Sequence, residues 1–216
     1  MHSISTSRIA KELEPYGVNA NEALCSQIRS YVEMLLVWNR KMSLTAVTDP
    51  VEIIRFHFGE SIFALTAGAI SDGRLADVGS GAGFPGLPIR LACSSISLTM
   101  IESNIKKCTF LREVSRKLKV DGDVRVLNSR IEGVPSPTSP SAEERFDFIA
   151  ARAVGDFDLL LDFATRLLAE KGRIVLWIGQ EDAETVAEAH SVRWVWSDPV
   201  LIPNSSRRNL LSGQLR

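Results

Sequence analysis

Asp77-Val78-Gly79-Ser80-Gly81-Ala82-Gly83-Phe84-Pro85-Gly86 follows the short apolar run Leu75-Ala76 and precedes Leu87-Pro88-Ile89-Arg90-Leu91-Ala92. It reads as a strand that ends in a turn and passes at once into a helix. Gly79, Gly81 and Gly83 put no Cβ into the turn, so its backbone can bend sharply and come close against a ligand. That is the layout of a nucleotide-type cofactor site at the carboxyl end of a first parallel strand. Glu102 closes the next apolar run, Leu98-Thr99-Met100-Ile101. A carboxylate there can accept hydrogen bonds from a ribose diol.

Working outward from the loop, the chain alternates. Strands are expected at Leu75–Val78, Ser97–Glu102, Val124–Leu127, Phe146–Ala150 and Arg173–Ile178. Helices are expected from the loop to about Cys93, over Lys106–Val120, over Phe157–Ala169 and over Glu184–Ala189. Strands separated by helices of this length imply an α/β fold with a mostly parallel sheet. Val192-Arg193-Trp194-Val195-Trp196 and Pro199-Val200-Leu201-Ile202-Pro203 are expected as two short antiparallel strands ending the sheet, with at most a poor strand after Pro203. Pro135-Ser136-Pro137-Thr138-Ser139-Pro140-Ser141 can bury nothing and reads as a mobile surface loop.

Ahead of the alternation, residues 1–70 read as helical. A first segment breaks at Pro15-Tyr16-Gly17. Asn19 and Glu22 have the offset of a capping box before Leu24, Ile28, Tyr31, Val32, Leu35 and Leu36 at helical spacing. Asp49-Pro50 with Glu52 starts another helix that runs through Ile53, Ile54, Phe56, Phe58 and Ile62 and ends near Gly68. Helices this apolar on one face need a partner, so residues 1–70 are expected as a cap packed on a core domain of residues 71–216.

The totals are those of an ordinary globular protein: 216 residues, 45% hydrophobic and 24% charged, with net charge −1. No run approaches the ~18 apolar residues of a membrane span, and Met1-His2-Ser3-Ile4-Ser5 lacks a signal-peptide core, so a cytoplasmic protein is expected, with no membrane partner. Cys25, Cys93 and Cys108 have no metal-ligand spacing and read as reduced thiols in helices; no metal is expected. The near-neutral charge argues against indiscriminate binding to nucleic acid but leaves room for a local basic face.

The loop itself narrows the choice of cofactor. A pyrophosphate needs bare amides at the helix start, but here Phe84 and Pro85 intervene and Pro85 has no amide hydrogen. Asp77 is a poor neighbour for phosphates and a good one for a cation. S-adenosylmethionine carries a sulfonium and an ammonium, and has a ribose for Glu102. It fits better than a nicotinamide dinucleotide, whose only support is the generic glycine pattern.

The loop, together with Trp38-Asn39, Leu44-Thr45, His57 with Ser61, and Ala151-Arg152-Ala153, resembles the glucose-inhibited division protein B family over about Trp38 to Gln180. The resemblance implies a Rossmann-like class I methyltransferase fold and a small-subunit methyltransferase G activity, using S-adenosylmethionine to methylate N7 of a guanine in 16S ribosomal RNA. The partner would be that RNA or a precursor of the small subunit. By position, the family's cofactor contacts fall on Gly79, Phe84, Ile131, Glu132 and Arg152, alongside Asp77, Gly81 and Glu102 read from the loop itself. Guanine N7 carries a lone pair and no proton, so no general base is required. No residue is assigned a catalytic part.

For RNA, the basic candidates are Lys106, Lys107, Arg112, Arg116, Lys117 and Lys119 on one helix, with Arg40-Lys41, Arg55 and Arg207-Arg208. Phe84, Phe56 or Trp177 are candidates to stack on a splayed base. Three positions depart from the family's pattern: Ser43 replaces an asparagine, Phe56 an arginine and Ile178 a lysine. The alternative they leave open is a relative that binds S-adenosylmethionine but has another RNA target or only a binding role.

Overall fold

A computed structural model describes residues 4–134, 145–153 and 155–216. The loop expected at Pro135–Ser141 lies outside the described residues.

Helix α1 (Thr6–Leu13) starts at Ser5, whose hydroxyl accepts from the Arg8 N–H, and gives way to a tight turn over Glu14–Tyr16. Helix α2 (Glu22–Asn39) begins two residues later than the Asn19/Glu22 pair suggests. Asn21 is the cap, accepting from Leu24 N–H at 2.9 Å, because a capping side chain reaches the amide three residues on. Asp49 caps α3 (Pro50–Ile53) as expected, its Oδ1 accepting from Val51 and Glu52 N–H at 2.9 Å each. The backbone then widens to a π-helix over Ile54–Gly59 before α4 (Glu60–Thr66).

The sheet strands are β1 (Gly73–Val78), β2 (Ile96–Glu102), β3 (Val124–Asn128), β4 (Phe146–Arg152) and β5 (Leu168–Gly179), followed by β6 (Trp194–Trp196), β7 (Val200–Leu201) and β8 (Arg208–Leu215). Helices α5 (Gly86–Ala92), α6 (Ile105–Lys117), α7 (Phe157–Leu167) and α8 (Gln180–Ala189) connect them. The order across the sheet is β3-β2-β1-β4-β5-β8-β6, with β7 also on β8. Strands β1 to β5 are parallel, and β6, β7 and β8 pair antiparallel.

The tail departs from expectation. The strands foreseen at residues 192–196 and 199–203 are short and lie outermost. The segment after Pro203 instead forms an eight-residue strand inserted between β5 and β6. Ser212-Gly213-Gln214 has poor strand propensity. Gly213 is nevertheless required, since a Cβ there would sit 2.5 Å from the Trp196 ring that lies across it.

Two apolar clusters sandwich the sheet. On one face Ile28, Tyr31 and Leu35 of α2 and Phe58 and Ile62 pack with Leu75, Leu87, Leu98, Met100 and Phe110. On the other, Ile149, Ile174 and Leu176 pack with Leu160, Phe163, Trp194 and Leu211. Each such side chain contributes about 1.5–3 kcal/mol on burial. The N-terminal helices therefore share the core of the first face.

Candidate active site

Strand β1 ends at Val78, and the glycine loop is tied to its neighbour at once: Gly79 and Ser80 N–H donate to Ile101 O at 2.9 and 3.2 Å. Gly81 N–H donates to Glu102 Oε2 at 2.9 Å, and Asn104 N–H donates to Oε1 at 2.7 Å. Each carboxylate oxygen keeps a lone pair for a ligand. Gly81 has φ +57°, and a Cβ there would meet only Gly79 O, at 3.8 Å. The space beside it is open. Gly83 differs: a Cβ would lie 2.3 Å from Tyr31 Oη. Only a glycine there lets Tyr31 of α2 approach so closely.

A cleft of about 250 Å³ opens at the carboxyl ends of β1, β2 and β3. Gly79, Glu102, Ile131 and Glu132 line it, with Arg130 and, from the start of α7, Asp156 and Leu160. Asp77 of β1 is fully buried and does not line this cleft. Its Oδ2 accepts from Gly86 N–H at 3.1 Å, while Oδ1 has no hydrogen-bond partner among the described residues. Burial pushes this carboxyl up to about 7, against the pull of the Gly86 N–H and of the adjacent Ser80 hydroxyl, which itself donates to the Asp77 main-chain carbonyl. Phe84 turns away from the cleft into the core, stacked on Tyr31 at 5.4 Å and against His57 at 4.7 Å.

A second cleft, about 340 Å³, adjoins the carboxyl ends of β4 and β5. Val78 pairs with Ala151, so Gly79 and Arg152 stand at neighbouring strand ends. Arg152 Nη2 lies 3.2 Å from Glu60 Oε2, and Arg208 Nη2 lies 2.6 Å from Glu60 Oε1. Trp177 Nε1 donates to Glu60 O at 2.7 Å. The Arg208 guanidinium sits 5.4 Å from the centre of the Phe56 ring. Arg152, Trp177, Ile178, Asp182 and Arg208 line this cleft.

Burial raises the Glu60 carboxyl while both arginines pull it down, and burial lowers Arg152 while Glu60 opposes. His57 is held at about 4 by burial and then by the charge of Arg152. The ring is therefore neutral near pH 7, its Nε2 2.7 Å from Thr45 Oγ1.

The structure thus brings Gly79, Glu102, Ile131 and Glu132 to one cleft, with Gly81 joined through Glu102. Asp77 is buried against Gly86 outside that lining, Arg152 lies in the neighbouring cleft and Phe84 lies behind the loop. Sequence reasoning missed Asp156, which its position before Phe157 signals as the cap of α7, accepting from Leu159 N–H at 3.0 Å. It also missed Glu60, whose only signal is an acid in an otherwise apolar helix. Of the basic candidates, Lys106, Arg112, Arg116 and Lys117 are exposed on α6, with Arg116 paired to Glu113, whereas Arg55 is paired to Glu12. Among the described residues no group of three metal-ligating side chains converges, and no helix is long and apolar enough to cross a membrane.

A family model described as rRNA small subunit methyltransferase G matches residues 24–205. The ribosomal RNA small subunit methyltransferase G of Chloroflexus aggregans is 33% identical over 91% of this chain and 84% of its own. The protein of the same name from Aquifex aeolicus is 37% identical over 74% of this chain and 79% of its own. Among solved structures, the ribosomal protein L11 methylase of Lactobacillus delbrueckii subsp. bulgaricus superposes with a TM-score of 0.57 at 16% identity, covering 75% of this chain and 79% of that one. The glycopeptide N-methyltransferase MtfA gives 0.59 at 10% identity, over 74% and 90%. These two share the class I methyltransferase fold.

Proposed function

Since this chain belongs to the rRNA small subunit methyltransferase G family, we propose that it methylates N7 of a guanine in 16S ribosomal RNA, with S-adenosylmethionine as donor. Residues 1–70 are the helical cap and 71–216 the methyltransferase domain. The substrate is the RNA or a precursor of the small subunit, met in the cytoplasm where subunits are assembled.

The residues present fit the cofactor. Asp77 Oδ1 is a buried acceptor with no hydrogen-bond partner among the described residues, below a loop whose Gly81 faces open space. It suits a cationic ligand, and the Glu102 oxygens suit a ribose diol. When bound, S-adenosylmethionine supplies a sulfonium-activated methyl group that a nucleophile takes in a single displacement.

Gly79 and Gly81 let the backbone approach the donor, Ile131 and Glu132 wall its far end, and Asp77 neutralises its positive charge. Arg152, at the strand end beside Gly79, lines the second cleft. That second cleft receives the acceptor. Its cations meet RNA phosphates, and its walls orient the base. No proton leaves N7, which agrees with a site where His57 is neutral and bonded to Thr45.

The observation that carries this reading is the Gly81-to-Glu102 bond, which joins the glycine loop to the acid beneath an open cleft. Mass spectrometry of 16S ribosomal RNA from a strain lacking the protein tests it. One N7-methylguanine should disappear and return on complementation. An unchanged level would sink the reading.

A further inference from the structure

We propose that Glu60 is a positioning residue for methyl transfer: it braces Arg152 and Arg208 against each other at the wall of the acceptor cleft. The inference rests on the assignment of that cleft to the acceptor. Glu60 is fully buried, yet it gives each carboxylate oxygen to a different guanidinium, at 3.2 and 2.6 Å. The arginines come from strands far apart in sequence, β4 and β8, with only β5 between them in the sheet. Without a shared counter-ion their charges repel, and among the described residues no other side chain is ion-paired with both.

The brace is itself held from three sides. Trp177 donates to the Glu60 carbonyl, Glu60 N–H donates to Arg55 O across the wide π turn, and Phe56 of that turn lies under Arg208. A π turn inserts one residue and so re-aims the side chains that follow it. A buried charge is costly, and an apolar residue would pack here at less expense. The cluster instead keeps a net charge of +1, with the Arg152 side chain 16% exposed and that of Arg208 41% exposed. It is a cationic wall of fixed shape. The chemistry it fits is the phosphodiester and base edge of an RNA strand, which planar guanidinium forks recognise when their orientation is set.

Glu60→Gln keeps the volume and removes the charge; Glu60→Asp keeps the charge and shortens the reach. With full-length protein and small-subunit RNA, Glu60→Gln should lower kcat/KM at least tenfold while S-adenosylhomocysteine affinity stays within twofold, and Glu60→Asp should recover part of the loss. A rise in kcat/KM would mean that Glu60 merely repels RNA, and parallel losses of cofactor binding and turnover would mean a structural part only; either overturns the proposal.

A readout without RNA separates this inference from the functional assignment. Phenylglyoxal labelling of Arg208, followed by mass spectrometry of its peptide, should quicken at least fivefold in Glu60→Gln. An unchanged rate overturns the brace whether or not wild-type protein methylates RNA. Wild-type inactivity on that RNA with quickened labelling would leave the brace standing and sink only the assigned substrate.

Discussion

At the residue scale, Asp77 is expected to couple stability to cofactor binding. Its ordinary value is 3.8 and burial pushes it to about 7. As pH rises between these values the unfolded chain gives up the proton first, so the cofactor-free protein loses stability, by a few kcal/mol in order of magnitude, and the loss is complete above about pH 7. Asp77→Asn keeps an acceptor for Gly86 N–H. It should remove this slope and raise the melting temperature of cofactor-free protein near pH 8. Calorimetry should show S-adenosylmethionine affinity rising between about pH 6 and 8 in the wild type as Asp77 ionises. In Asp77→Asn that affinity should be weaker and nearly flat. Retained tight binding in the variant would remove Asp77 from the cofactor's surroundings.

Gly81 provides a second test at this scale. Valine there would sit at a φ of +57° and project into the open cleft. Gly81→Val should abolish S-adenosylhomocysteine binding with near-native circular dichroism. Surviving affinity would place the ligand elsewhere.

At the element scale, the bond between α2 and the glycine loop stands out. Tyr31 Oη donates to Ala82 O at 2.5 Å while its ring stacks on Phe84 and meets Phe58 edge-on at 5.1 Å. Helix α2 thereby fixes the loop from behind. Tyr31→Phe keeps the ring and leaves the Ala82 carbonyl without its donor, a loss of about 1–3 kcal/mol. Part of that loss should appear as several-fold weaker S-adenosylhomocysteine binding, measured by calorimetry beside a melting curve. A lower melting temperature with unchanged affinity would confine Tyr31 to stability. Element boundaries were mostly legible, because Asp49-Pro50 and the break at Pro15-Tyr16-Gly17 are local chemistry. The π turn was not, since one inserted residue leaves the apolar spacing of Ile53, Ile54, Phe58 and Ile62 almost unchanged.

At the scale of the whole molecule, β8 closes the fold. It pairs with β5 on one side and with β6 and β7 on the other, buries Asn209, Leu210 and Leu211, and delivers Arg208 to the second cleft. A chain ending at Pro203 should lose cooperative thermal unfolding altogether, because it bares the edge of β5 and the core beneath. A cooperative melt within a few degrees of wild type would show β8 to be dispensable. The same topology sets two clefts side by side, at the carboxyl ends of β1–β3 and of β4–β5.

The glycine loop, Glu102 and the strand–helix alternation were determined by sequence alone, because backbone freedom, turn chemistry and apolar period act between near neighbours. Those features settled the α/β class and pointed to the cofactor. The tertiary structure alone decided that Phe84 serves the core, that Arg152 shares Glu60 with Arg208, and that the tail enters the sheet. Those pairings join residues dozens of positions apart. Their energies depend on burial and on which charges meet, and no local spacing records either.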